Sequence, residues 1–143
     1  MKFRNYLPRV IFATLFICCH LLLFAKPPVI VIQQFHKINP GIAKVKWEQE
    51  GKNYEAEFMR NGAHCSMVFD ALGNMIESEE QIKVSDLPEG VKAYLNKNYE
   101  AKVKKEASRI TNDAGIVTWE AQVKGKDLIF DGSGKLLQVK TPD

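Results

Sequence analysis

The residues best suited to chemistry are two acidic pairs and one histidine–cysteine pair. They are Glu55/Glu57, Glu79-Glu80 and His64-Cys65. Catalysis would need such groups to converge in a cleft, as paired carboxylates or as a nucleophile beside its base. The acidic pairs have the spacing of exposed strand or loop positions, and sequence neighbours on a strand, such as His64 and Cys65, point to opposite faces. We therefore predict a non-catalytic protein with no catalytic residues.

Metal ligands are also sparse in the sequence. Beyond residue 25 the histidines are His36 and His64, and Cys65 is a single cysteine that has no disulfide partner. With Met67 added, these residues still do not form a closed ligand set for zinc or another transition metal. The sequence predicts no metal and no cofactor, and a periplasmic small-ligand or metal sensor or accessory protein without enzymatic activity is the alternative function.

A Phe-Asp-x-x-Gly motif occurs twice, in "MVFDALGNM" and in "LIFDGSGKL". A calcium loop would need oxygen ligands at alternating positions, where the first copy has Ala71 and Leu72. A phosphate-binding loop would carry more glycine and a Lys-Ser/Thr pair. A hairpin turn explains every position, because the Asp side chain caps the turn and the Gly adopts a positive φ. We predict two equivalent hairpin turns.

Candidate binding residues alternate with apolar residues in the predicted strands. In "AKVKWE", "YEAEF" and "WEAQV" every second side chain is polar, as in strands that bury one face and expose the other. Such a face is often only solvated, and exposed Trp47 and Trp119 are an alternative contact surface, although we predict both in the core. The predicted partner-binding residues are Lys46, Glu48, Glu55, Glu57, Glu120 and Gln122.

The first 25 residues have the features of a secretory signal peptide. Lys2, Arg4 and Arg9 precede an apolar run that ends at Ala25, a small residue at the expected cleavage position. The run is shorter than a membrane span needs; a retained anchor is the alternative. Without residues 1–25 the chain has 17 basic and 17 acidic side chains, so its basic pI gives no argument for nucleic acid. We predict a periplasmic or secreted protein.

The remaining chain reads as a tandem repeat. "AKVKW" is echoed by "AKVKK" 58 residues later, "YEAEF" by "WEAQV" 65 residues later, and Phe69-Asp70 by Phe130-Asp131 61 residues later. We attribute the changing offsets to insertions at hairpin tips. An apolar stripe at helical spacing opens each copy, with Val31, Phe35 and Ile38 in the first, and a capping box at Asp86 and Glu89 begins the second helix.

The predicted fold class is α+β: helix plus four antiparallel strands, twice, forming one sheet with the helices on one face. The predicted domains are a signal peptide at 1–25 and one domain at 26–143, made of repeats at about 29–82 and 83–140.

The ordered set of "YEAEF", "WEAQV", the two FDxxG hairpins and the helix "DLPEGVKAYLNKNYEAKV" resembles the PepSY-like family of small exported bacterial proteins, from about Val31 to Val139. That family is similar in fold to the beta-lactamase inhibitor protein, which presents an open sheet face and hairpin loops to an enzyme. The resemblance implies a binding module that inhibits a peptidase or another hydrolase, with an envelope or secreted protein as partner. It implies no catalytic residues, and we expect neither nucleic acid as a partner nor a membrane span after signal cleavage.

Overall fold

The computed structural model describes residues 26–99 and 103–141. Two α-helices and eight β-strands follow one another in the order α1 (Val29–Ile38), β1 (Val45–Glu50), β2 (Asn53–Arg60), β3 (Ala63–Phe69), β4 (Met75–Ile82), α2 (Glu89–Tyr99), β5 (Val103–Asn112), β6 (Val117–Val123), β7 (Lys126–Phe130) and β8 (Leu136–Lys140). A short 3₁₀ turn at Val84–Asp86 precedes α2. The predicted signal peptide lies outside the described residues, so it stays a prediction.

The strands form one open antiparallel sheet in which each strand pairs with its neighbours in the chain, from β1 to β8. Helix α1 precedes the first four strands and α2 precedes the last four. The predicted fold class, a helix-plus-four-strands unit repeated in one α+β sheet, is therefore confirmed. None of the described helices is long and apolar enough to cross a membrane.

Each helix covers its own half of one sheet face, and each half has a separate core. In the first half Val31 and Phe35 of α1 pack against Ala56, Phe58, Cys65, Met67 and Phe69. In the second half Leu87, Val91 and Leu95 pack against Ala107, Ala121, Val123, Leu128 and Phe130. Apolar and polar residues alternate in the strands, and successive strand residues point in opposite directions, so the apolar side chains lie on one face.

The two helices occupy equivalent places, although two details differ from the predictions. Val31 and Phe35 are fully buried, but Ile38 is 39% exposed, so the predicted stripe of α1 is one residue too long. The predicted capping box is wrong. Helix α2 begins at Glu89, where the Lys92 N–H donates to the Pro88 carbonyl, and Asp86 lies in the 3₁₀ turn and accepts a hydrogen bond from Ser85.

Both Phe-Asp-x-x-Gly motifs form the predicted hairpin turns. Asp70 Oδ1 accepts hydrogen bonds from the backbone N–H groups of Leu72 and Asn74, both at 2.9 Å. Asp131 Oδ1 likewise accepts from Ser133 and Lys135, at 2.9 and 3.0 Å. The side chains of Asn74 and Ser133 also donate to these carboxylates, and together with the backbone hydrogen bonds they lower the pKa of both aspartates. The carboxylates satisfy backbone donors, so the motif is a turn.

The same turns also support the helices. A Cβ atom on Gly73 would lie 3.2 Å from Ile30, the second residue of α1. A Cβ atom on Gly134 would lie 2.6 Å from the backbone of Gly90, the second residue of α2. With φ values of +86° and +88°, both positions require glycine for conformation as well as for space. The repeated motif therefore fixes the start of each helix on the sheet.

The register explains the unequal offsets of the repeat. Val45 pairs with Phe58 and Val103 pairs with Val123, so the echoed residues are structurally equivalent. However, the register shifts between Val103 and Ala107, where β5 contains an irregularity. The prediction that all insertions lie at hairpin tips is therefore wrong in part, because a bulge within β5 also absorbs extra residues.

Candidate functional site

The candidate site is the sheet face opposite the helices, called here the open face. Its members have the strand register that points away from both cores. The described residues that define it are Lys46, Glu48, Glu50, Asn53, Glu55, Glu57, Met59, His64, Ser66, Val68, Glu77, Glu79, Gln81, Ser108, Ile110, Asn112, Thr118, Glu120, Gln122, Asp127, Ile129, Gln138 and Lys140. Carboxylates are the most numerous side chains in this set.

The structure brings four of the sequence-predicted residues together on β1 and β2. Lys46 Nζ forms ion pairs with Glu48 and with Glu57, the latter at 3.0 Å. Glu48 lies opposite Glu55 in the register. The hydrogen bonds that Lys46 Nζ donates to the carboxylates of Glu48 and Glu57 raise the pKa of Lys46. These residues form one acidic group that contains a single lysine.

The other two predicted residues lie apart from this group. Glu120 and Gln122 are on β6, and Gln122 Nε2 donates to Asp127 Oδ1 on β7 at 3.4 Å. Strands β3, β4 and β5 separate β2 from β6, which places the two groups about 19 Å apart at the usual strand spacing. The predicted residues therefore share a face but do not form one compact site.

Residues of the central strands connect the two groups, and the sequence-based prediction omitted them. Glu77 and Glu79 on β4 face the same side as Glu55 and Glu120. Strand β4 reads "MIESEEQI", with polar residues on both faces, and therefore lacks the alternation that marked the other strands. It carries polar side chains toward the helix side because it lies where the two cores meet.

Several open-face residues are buried although no helix or strand of the described part of the chain covers them. Glu77 is 5% exposed and Glu55 8%, and the apolar Val68, Ile110 and Ile129 among them are also buried. Both described helices pack on the other side of the sheet, so this burial does not come from them. The open face is thus a partly dehydrated polar surface, which is a costly arrangement for charged groups.

Burial and mutual repulsion raise the pKa of three of these carboxyl groups. Burial, followed by the negative charge of Glu50, raises the pKa of Glu55 to about 7. Burial, followed by the charge of Glu79, raises the pKa of Glu120 to about 8. Burial also raises the pKa of Glu79, although Ser108 donates a hydrogen bond to its carboxylate. Glu55 and Glu120 therefore change protonation near neutral pH, where ordinary glutamates are fully ionised.

A buried acceptor at the end of the β1–β2 hairpin has no hydrogen-bond donor. Asn53 is 8% exposed, and its Oδ1 atom is buried without a hydrogen-bond partner. Its register partner is Glu50, whose pKa is raised by burial and by the charge of Glu48. The side-chain oxygens of Asn53 and Glu50 thus face the same end of the open face.

Of the three sequence pairs considered for catalysis, Glu55 and Glu57 share the open face, and the other two pairs are divided between the two faces of the sheet. Glu79 lies on the open face, whereas Glu80 lies on the helix side and pairs with Arg60 at 3.4 Å. Cys65 is buried in the first core, and burial raises the pKa of its thiol, which disfavours a reactive thiolate. His64, its neighbour, is exposed. Within residues 26–99 and 103–141, no three His, Cys, Asp or Glu side chains are placed to hold a metal ion.

Both tryptophans lie on the helix side, as predicted. The Trp47 ring meets the Phe35 ring edge-on with centroids 5.5 Å apart, and Trp119 packs against the second core. Neither ring belongs to the open face, so the candidate site has no large aromatic side chain from these two residues.

Comparisons with known proteins show the same fold in several solved bacterial structures. No protein-family model matches the sequence, and no curated protein matches it. A solved structure from Bacteroides eggerthii, described as a candidate periplasmic protein, superposes with a TM-score of 0.72 at 17% identity, over 81% of this chain and 89% of that one. A DUF2874 family protein from Bacteroides ovatus gives 0.68 at 21% identity, over 81% and 88% of the two chains.

A third solved structure, a BLIP-like protein from Bacteroides fragilis, has a TM-score of 0.65 at 26% identity, over 82% of this chain and 87% of that one. The similarity to a BLIP-like fold therefore extends over most of both chains.

Proposed function

We propose that this chain is an exported, non-catalytic binding module that holds a protein of the cell envelope against its open face. The observation that carries the proposal is a sheet face of partly dehydrated polar side chains over which the described residues, 26–99 and 103–141, place no further layer. A polar surface of that kind is costly alone and is compensated when a partner supplies complementary groups.

Inhibition of a peptidase or another hydrolase is the finer part of the proposal. It is supported by the similarity to the solved BLIP-like protein and by the resemblance of the sequence motifs to the PepSY-like family. Export is supported by the signal-like segment at 1–25 and by the neighbour described as a candidate periplasmic protein. The partner-binding residues would be the predicted set together with Glu77 and Glu79, which join its two parts.

Site-specific photocrosslinking in the native host tests the proposal. A photoreactive amino acid replaces Thr118 on the open face of the full chain, or Ala93 on the exposed surface of α2 as a matched control. We expect a discrete crosslinked protein from the first position and none from the second. Crosslinks at the control position alone, or at neither position, would contradict a binding role for the open face. The captured protein is then assayed for hydrolase activity with and without this chain.

A further inference from the structure

We infer that the part of the partner that occupies the open face is an extended segment rich in lysine and arginine. This inference rests on the proposed function, since it specifies the chemistry of what the same face binds. An anionic or purely apolar segment would have to lie against the carboxylates of five strands without neutralising them.

The charge of the open face is one-sided. Carboxylates come from β1, β2, β4, β6 and β7, namely Glu48, Glu50, Glu55, Glu57, Glu77, Glu79, Glu120 and Asp127. Of the described cations on this face, Lys46 is ion-paired with Glu48 and Glu57, and Lys140 lies in the electrostatic field of Glu120 and Asp127. The described cations of the open face therefore do not balance its carboxylates, and a complementary partner would supply positive charge.

The hydrogen-bond acceptors of the open face independently indicate a partner with basic side chains. Asn53 Oδ1 is a buried acceptor without a donor, and it lies on the same strand face as Glu55. Glu50, the register partner of Asn53, is a second hydrogen-bond acceptor on the same face. Ammonium and guanidinium groups are donors only, and their hydrogen bonds to carboxylates are among the strongest in proteins.

The distance between the two acidic groups indicates that the bound segment is extended. The carboxylates of β2 and β6 lie about 19 Å apart across the sheet, farther than one lysine or arginine side chain extends. An extended chain covers that distance in about six residues. A segment with basic side chains at several positions can thus reach both groups, whereas a single cation cannot.

Binding of cations to this face should be linked to loss of protons. Each raised pKa reflects a carboxyl group that burial and neighbouring carboxylates keep partly protonated, and an approaching cation favours the ionised form. The groups that face Glu55 are Glu48, Glu50, Glu57 and Ser66, and those that act on Glu79 and Glu120 are His64, Glu77, Ser108, Asp127 and Lys140. Affinity for a basic segment should therefore rise as the pH rises.

Titration of the exported full chain with short peptides tests the inference. The probes are an alternating lysine–glycine peptide, its arginine counterpart, and glutamine–glycine and glutamate–glycine controls of equal length, followed by NMR. We expect the two basic peptides to shift the amide signals of Glu55, Glu79 and Glu120, with affinity at least about tenfold higher at pH 8 than at pH 6. The controls should leave these signals unchanged.

Matched variants assign the effect to the open face. The triple variant Glu55→Gln, Glu79→Gln, Glu120→Gln should lose most of the affinity and its pH dependence, while Glu89→Gln on α2, whose side chain is 91% exposed, should bind as the native chain does. A circular dichroism spectrum confirms that both are folded. Equal binding of basic and neutral peptides, absence of binding, or undiminished binding by the triple variant would each overturn the inference.

The same variants separate this inference from the proposed function. If the photocrosslinked envelope protein is still captured by the triple variant at pH 6 and pH 8 alike, the open face binds a partner that is not recognised by its cations. In that case the binding role stands and the basic segment is wrong.

Discussion

Individual carboxyl groups on the open face combine two functions that usually conflict, since they face a potential partner and yet are largely withdrawn from water. Glu120 is the strongest case. The negative charges of Glu79 and Asp127 each raise the pKa of its carboxyl group by more than the positive charge of Lys140 lowers it. A group in this position opposes folding once it ionises. The ionised carboxyl groups of the open face should therefore lower the free energy of unfolding measurably at neutral and alkaline pH.

The stability of Glu120→Gln should reveal that cost. The pKa of Glu120 is raised from 4.5 to about 8, so between those pH values the native state holds a proton that the unfolded state has released, and stability falls as pH rises through the window. We expect the variant to match the native chain at pH 4.5 and to exceed its free energy of unfolding by about 1–3 kcal/mol at pH 8.5. Urea denaturation across this range measures it. Parallel pH profiles for the two proteins would refute the expectation.

Glycine in the second repeated turn offers another residue-level prediction. A Cβ on Gly134 would lie 2.6 Å from the backbone of Gly90, whereas one on Gly125 would meet open space, although both residues have positive φ. Gly125→Ala should therefore cost only the conformational strain, about 1 kcal/mol, and Gly134→Ala at least about 2 kcal/mol more, because the start of α2 must move. Chemical denaturation of the two variants checks the difference; similar losses would mean that α2 does not depend on this close approach.

At the scale of elements, each helix packs on its half of the sheet through very few side chains. Helix α1 reaches its core mainly with Val31 and Phe35, and the Phe35 ring contacts Trp47, Phe58 and Phe69 edge-on. Such aromatic contacts add to the burial of apolar area. The attachment of α1 is thus concentrated in one ring.

Removal of that ring should detach the helix. We expect Phe35→Ala to lower the free energy of unfolding by about 3–5 kcal/mol, because a fully buried phenylalanine leaves a cavity among three aromatic rings. Ile38→Ala on the same helix, where the native side chain is 39% exposed, should cost less than about 1 kcal/mol and serves as the control. Thermal and urea denaturation compare them, and equal effects would place the anchor of α1 elsewhere.

The elements that sequence predicted well are those encoded locally. Alternation in "YEAEF" and "WEAQV" specifies which side chains face the core, and Asp70 and Asp131 encode their turns through hydrogen bonds within four residues. The sequence did not predict the facing of strand β4, because the surroundings of β4 come from both repeats at once. The burial of Glu55 and Glu120 was not predicted for a related reason, since it depends on the side chains that flank them once the strands have paired.

The whole molecule is one sheet with two cores. Strands β4 and β5 join the halves through backbone pairing from Glu77–Asn112 to Ile82–Ala107, while the buried clusters on either side share no residue. Side chains at this junction on the helix side include the Glu80–Arg60 ion pair and Arg109. A partly exposed ion pair contributes little to stability, so the coupling between the halves rests mainly on the pairing of the strands.

Hydrogen exchange of Phe35→Ala should show this division. We expect the amides of β2 and β3 to lose protection strongly, whereas those of β6 and β7, which pack on the second core, retain most of theirs. The measurement is native-state exchange by mass spectrometry or NMR, with Leu95→Ala as the mirror-image variant. Uniform loss of protection in both halves would show that the sheet transmits the damage as one cooperative unit.

The unbroken strand order also bears on how quickly the chain finds its structure. Every pairing in the sheet joins consecutive strands, so most contacts form between residues close in the chain, and only short loops must close. Low contact order of this kind is associated with rapid folding, even in proteins made largely of β-strands. Two self-sufficient cores provide two places where assembly can start, and a hairpin added to either nucleus extends it without crossing any other segment. A chain that folds from either end in this way exposes its unpaired strands only briefly, which limits the time in which those strands can pair with another chain.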